Sequence, residues 1–201
     1  MSKIIKNIFL VLLLFLLGNN ALAIENDIKT NEKKETNYTK PIIYTATCMG
    51  IGYGALVLTK EVPNPNYRNF KNAYKTLPKS DGDSAIYNFV LHPLWGSETY
   101  LRAREANFNI ISSIAFSMGS SIIWEYLIES WSQHPSLEDL IITTGIGWII
   151  GEIRYILKKK TNKKMHWLLD PINTTLECIN IEFLTDSKGK TFPSIKIGLD
   201  Y

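Results

Sequence analysis

NFNIISSIAFSMGSSIIWEYLIESWSQHPSLEDLIITTGIGWIIGEIRYILKKK, residues 107–160, reads as two long apolar helices joined by a tight turn at Gln133-His134-Pro135-Ser136. On the first helix Ser113, Ser117, Ser121, Glu125 and Glu129 recur every fourth residue and so share one face. Ile110, Ile114, Met118, Ile122 and Ile123 supply apolar surface beside them. The second helix repeats the device with Asp139, Thr143, Gly147, Gly151 and Tyr155. Small residues along such a stripe let two backbones approach closely, and hydroxyls can bond across the seam. Pro135 ends the first helix, and Ser136 with Asp139 three residues on forms a capping box with Asp as its acid. An antiparallel pairing about this turn sets Glu125 opposite Thr143 or Thr144, and Glu152 near Ser117.

Outward from the hairpin toward the C-terminus, Lys158 to Lys164 is a basic cluster where positive charge suits the end of a helix. It has two readings, a contact with anionic headgroups or an ordinary solvated helix end. Asp170-Pro171 marks a turn. Asn180 to Leu184 and Ser194 to Leu199 alternate apolar and polar residues around Asp186-Ser187-Lys188-Gly189-Lys190, which predicts a β-hairpin over about 180–200. Two strands are too few for a transmembrane barrel.

Toward the N-terminus, Ser84 to Leu91 has helical character and runs into His92-Pro93-Leu94-Trp95-Gly96, where proline and glycine predict a bend. A new helix is expected from Ser97, carrying Arg102 and Arg104 toward the hairpin. Lys60 to Asp83 is a polar connection in which Tyr67, Phe70, Tyr74 and Leu77 recur at helical spacing. Pro41 to Leu58 is an uncharged run with Gly50, Gly52 and Gly54, long enough for either a membrane span or a buried core helix. Residues 24–40 hold Asn, Lys, Glu, Thr and Asp with little to bury, the composition of a disordered leader.

Residues 1–23 carry Lys3 and Lys6, an apolar core from Ile8 to Leu17, and Ala21-Leu22-Ala23, the pattern of a secretory signal peptide cleaved after Ala23. Cleavage would remove two lysines and take the net charge from +3 to +1. Near-neutral charge and export both argue against a nucleic-acid partner. Residues 41–201 are then one mainly helical domain. An oxidising compartment allows Cys48 and Cys178 to pair, whereas the apolar run around Cys48 suits a buried thiol.

Two strings, NFVLHPLWGSETYLRAREANFN and SSIIWEYLIESWSQHPSLEDLIITTGIGWIIGE, resemble an uncharacterised bacterial envelope family, domain of unknown function 3943. The matching positions are His92, Pro93, Gly96, Tyr100, Arg104, Trp124, Glu125, Pro135, Ser136, Asp139, Leu140, Gly147, Gly151 and Glu152, within a core of about 70–155. A weaker likeness in the order His, Glu, Asp and Gly-x-x-x-Gly is shared with VanZ-like envelope proteins. Neither resemblance implies a chemistry. Both imply a cell-envelope location.

The fold expected is mainly α, a helical bundle built on a close-packed antiparallel helix hairpin, with a small C-terminal β-hairpin. Glu125 and Glu152 interrupt apolar helices away from their ends, so with His92 they are the candidate catalytic residues. Arg102, Arg104, Trp124 and Asp139 are the candidate binding residues, although capping alone explains Asp139. His92 has no second His at ligand spacing, and Gly-x-Ser-x-Gly, His-Glu-x-x-His and phosphate-loop motifs are absent, so neither metal nor cofactor is expected. The balance favours a non-enzymatic, membrane-associated envelope protein that binds lipid or an envelope partner, peripheral or partly embedded. The alternative is a hydrolase acting on lipid or cell wall through His92, Glu125 and Glu152, with metal assistance in one form.

Overall fold

A computed structural model describes residues 35–59, 65–79, 84–177, 179–185 and 191–197. The signal peptide and most of the leader read from the sequence lie outside these residues, as does Cys178. The helices are α1 (Thr39–Thr59), α2 (Tyr67–Ala73), α3 (His92–Glu105), α4 (Ile110–Ile123), α5 (Leu137–Lys160), α6 (His166–Leu169) and α7 (Pro171–Glu177). They are followed by β1 (Ile179–Thr185) and β2 (Thr191–Ile197), antiparallel with Ile181 opposite Ile195.

The chain is organised around α3 rather than around the α4–α5 pair alone. Every residue from Gly96 to Ala103 is buried, and both long helices pack on this one. The small-residue stripe of α5 meets α3: a Cβ added at Gly147 would lie 2.7 Å from Gly96 Cα, and one at Gly151 would lie 2.9 Å from the Ser97 carbonyl oxygen. The serine face of α4 packs on the same helix. Ser117 Oγ donates to the Gly96 carbonyl at 3.0 Å, and Thr99 Oγ1 donates to Ser117 Oγ at 3.0 Å. Periodicity identified both polar-small faces, and both turn to α3. Glu152 therefore lies beside Tyr100 instead of Ser117.

His92-Pro93 does not break the chain. A π-turn over Tyr87–Leu91 leads directly into α3, which starts at His92 and runs through Gly96. Proline is tolerated in a first helical turn, where its missing N–H has least to donate to. A second π-turn, Trp124–Ile128, and a short 3-10 turn, Glu129–Trp131, extend α4. Asn107 has φ 67°, the left-handed conformation in which asparagine ends helices well, and Asn109 caps α4 by accepting from the Ser112 N–H at 2.8 Å.

The last residues of the leader are docked rather than disordered. Asn37 N–H donates to the Ala106 carbonyl at 3.0 Å, Asn107 Nδ2 donates to the Glu35 carbonyl at 3.1 Å, and the Tyr38 ring packs on Phe108. These bonds use carbonyl and amide groups that the α3–α4 turn leaves over. The expected helix at Tyr67 forms as α2, with Phe70 stacked on Trp131 at 4.5 Å between ring centroids.

Side-chain chemistry is distributed inside out. The buried set includes Glu98, Arg102, Ser113, Ser117, Glu125, Asp139, Thr143, Glu152 and Asp170. Large apolar side chains face outward, among them Ile43, Ile51 and Leu58 on α1, Ile111 and Met118 on α4, and Ile141 on α5. The segments Thr39–Leu58, Ile110–Trp131 and Leu137–Lys160 are long and apolar enough to cross a membrane, by length and composition.

Candidate functional site

Both π-turns lie at one end of the bundle and deliver side chains to one point. A π-turn widens the helix by one residue and often marks a functional position. The first immediately precedes His92, and the second contains Glu125. Asp139 reaches the same point from the first turn of α5. One ligand-type atom from each of His92, Glu125 and Asp139 lies within 4.8 Å of the other two, and His92 Nε2 stands 3.5 Å from Asp139 Oδ1.

The capping box predicted at this helix start is completed by a different acid. Ser136 caps α5 as expected, its Oγ accepting from the Asp139 N–H at 3.2 Å. The Ser136 N–H, which the box would give to Asp139, donates instead to Glu125 Oε2 at 2.8 Å. Asp139 thus keeps its carboxylate beside His92 rather than folding it back onto its own helix. His92 is oriented from behind, with Nδ1 3.2 Å from Thr143 Oγ1. Glu125 is 1 % exposed, and the carboxylates of Glu129 and Asp139 are its electrostatic neighbours.

A cavity of about 420 Å³ opens beside this cluster, between α1, the start of α3 and the end of α4. Its walls are mainly apolar, with Met49, Leu56, Trp95, Trp124 and Ile128, while His92 and Glu129 supply charge-bearing groups. That size and mixture suit a small amphiphilic ligand. Trp124, predicted from sequence as a binding residue, is part of this wall.

Glu152 stands apart from His92, on a second network at the far end of α3. It accepts from Tyr100 Oη at 2.7 Å and from Arg104 Nε at 2.9 Å. Arg102, beside it on α3, is hydrogen-bonded to Asp170 and pairs with Glu98 at 3.3 Å and Glu105 at 2.9 Å. Arg154 Nη2 donates to Glu98 Oε2 at 2.7 Å, and Lys158 Nζ lies 2.5 Å from both Glu105 and Asp170. Burial alone would raise the Asp170 carboxyl, but Arg102 and Lys158 outweigh it and hold the group below its usual range. This network clamps the α6–α7 junction to α3 and α5.

Of the seven residues singled out in the sequence, His92, Glu125 and Asp139 meet, and Trp124 lines the adjoining cavity. Arg102 belongs to the clamp, while Arg104 and Glu152 pair with each other beside Tyr100. Arg154 and Asp170 were missed as partners, although an arginine within an apolar helix was a visible signal. Lys158 points inward to the clamp, while Lys159, Lys160, Lys163 and Lys164 of the same basic run are exposed.

The family model described as Domain of unknown function (DUF3943) matches residues 77–179, just over half of the 201-residue chain, and takes in α3, α4, α5 and both residue networks. Nothing found extends the likeness to VanZ-like proteins. No curated protein matches the chain, and no solved structure does.

Proposed function

We propose that this chain, which belongs to the domain of unknown function 3943 family, is a membrane-embedded cell-envelope protein that binds an amphiphile. The apolar part of the ligand occupies the cavity beside α1, and its polar end meets His92 and Glu129. The observation that carries this reading is the cavity itself, apolar through most of its wall and charge-bearing at one side. The signal-peptide pattern of residues 1–23 supports an envelope location. Within the range read from the sequence, peripheral or partly embedded, the outward apolar residues support embedding. Soluble monomers seldom expose large contiguous apolar surface, and charged groups inside with apolar groups outside suit hydrocarbon surroundings.

Two measurements test it. Membranes containing the full chain, washed with carbonate at high pH, are expected to retain it in the pellet; release into the wash would rule out spanning helices. For the ligand, native mass spectrometry of the purified chain is expected to show one bound phospholipid. Gly52→Phe places a ring in open cavity space, since a Cβ at Gly52 meets only Trp124, at 3.8 Å, and should abolish the adduct. The same adduct on both proteins would overturn the cavity assignment. Conversion of the bound lipid to a cleaved product would favour the hydrolase reading, now with Asp139 in the place that Glu152 held.

A further inference from the structure

We propose that His92, Glu125 and Asp139 form a binding site for a divalent transition cation, Zn²⁺ or Mn²⁺. The inference stands on the cluster alone and does not depend on an amphiphile in the cavity. The sequence offered no ligand spacing because the three donors come from three separate elements. The fold supplies the spacing instead.

The geometry fits. Two ligands about 2.1 Å from a tetrahedral ion stand about 3.4 Å apart, and His92 Nε2 lies 3.5 Å from Asp139 Oδ1. The full set falls within 4.8 Å, so the His92–Asp139 pair already has the spacing of ligands on one ion, and Glu125 closes by up to about 1.4 Å to join them. One imidazole and two carboxylates are a donor set that both Zn²⁺ and Mn²⁺ accept.

The surroundings provide what a metal ligand needs behind it. Thr143 Oγ1 lies 3.2 Å from His92 Nδ1, so in the tautomer that carries its proton on Nδ1 the hydroxyl accepts that proton and the Nε2 lone pair faces the carboxylates, as in metal-bound histidines held by their outer partners. The Ser136 N–H fixes Glu125 Oε2 in the same way. Glu125 itself is the independent sign of a missing cation. Its Oε1 is fully buried and no N–H group among the described residues donates to it, while its side-chain neighbours are Glu129, close enough to share a proton with it, and Asp139. No lysine or arginine among the described residues forms an ion pair with Glu125. A buried carboxylate so placed needs a cation or a proton.

Zn²⁺ and Mn²⁺ titrations of the chelator-treated full chain in detergent separate those two. One ion per chain is expected, with a rise in the thermal midpoint. Glu125→Gln and Asp139→Asn should each lose affinity by roughly tenfold or more, and Thr143→Val, which touches no donor atom, should weaken binding by a similar factor. Glu152→Gln, in the other network, should bind as wild type. Circular dichroism establishes that each variant is folded, and should Glu125→Gln fail to fold, Thr143→Val carries the test. Absence of binding and of any midpoint change with both ions would overturn the site and leave the cluster held by protons. Unchanged affinity in the folded Glu125→Gln or Asp139→Asn protein would overturn it equally.

Discussion

Gly96→Ala is expected to leave little folded protein, a destabilisation of about 4 kcal/mol or more, the exceptional end of single substitutions. The new Cβ would overlap the carbonyl of Thr143, lying 2.7 Å from its carbon as well as against its oxygen. Overpacking usually costs about 1–3 kcal/mol because side chains shift to make room. Here the obstacle is backbone of α5, held by its own helical hydrogen bonds, and the only relief is to move two helices apart. That movement would also stretch the contact of Gly147 with Gly96 and the bonds from Ser117 and Thr99 at the same level of α3. Gly119→Ala and Gly145→Ala are the controls, since a Cβ at either position meets nothing within 4 Å. Both should be neutral or stabilising by up to about 1 kcal/mol through helix propensity and a less flexible unfolded chain. Yield of monodisperse protein and thermal midpoint decide it. A Gly96→Ala protein that melts with Gly145→Ala would mean that α3 and α5 are not in backbone contact.

The same contact shows what was legible in the sequence. Four-residue spacing marks the faces Ser113–Glu129 and Asp139–Tyr155 as special, and every member of both stripes is buried except Glu129 and Tyr155, which are half-buried. Spacing tells which face is special but not which helix receives it, and here α3 receives most of both. Helix α3 is legible from Ser97 onward, but its first turn at His92-Pro93 is not, because a preceding π-turn leaves no residue signature and a proline near a helix start resembles one that stops a helix. Local chemistry at Ser136 was legible to the point of naming the cap. The acid that takes its N–H was not, because Glu125 arrives from a different helix across the Gln133–Pro135 turn. His92 and Glu125 could be chosen as oddities in apolar context. Their meeting with Asp139, and the pairing of Glu152 with Tyr100 and Arg104 instead, are tertiary facts.

Asp170→Ala is expected to cost about 3–5 kcal/mol, because it removes the shared acceptor of a buried network and strands its cations. Asp170 is fully buried at the start of α7, where Arg102 and Lys158 both converge on Oδ2 and Arg154 stands 3.6 Å from Oδ1. Removing it leaves Glu98 and Glu105 to balance three cations, with the α6–α7 junction no longer tied to α3. Lys160→Ala, at an exposed position on the same helix end as Lys158, should change the midpoint little, since isolated surface charges contribute about 0–1 kcal/mol. The pH dependence has a definite sign. The folded carboxyl titrates below its ordinary value of 3.8, so the unfolded chain takes up the proton first as pH falls. The Asp170 contribution is therefore complete above about pH 4 and declines as acid carries the solution down through the folded pKa. Wild type should lose stability over that acid range more steeply than Asp170→Ala, which has already lost the group. Parallel acid profiles for the two proteins, together with a midpoint close to wild type at neutral pH, would show that the three cations are satisfied without Asp170 and that the clamp is held by Glu98 and Glu105.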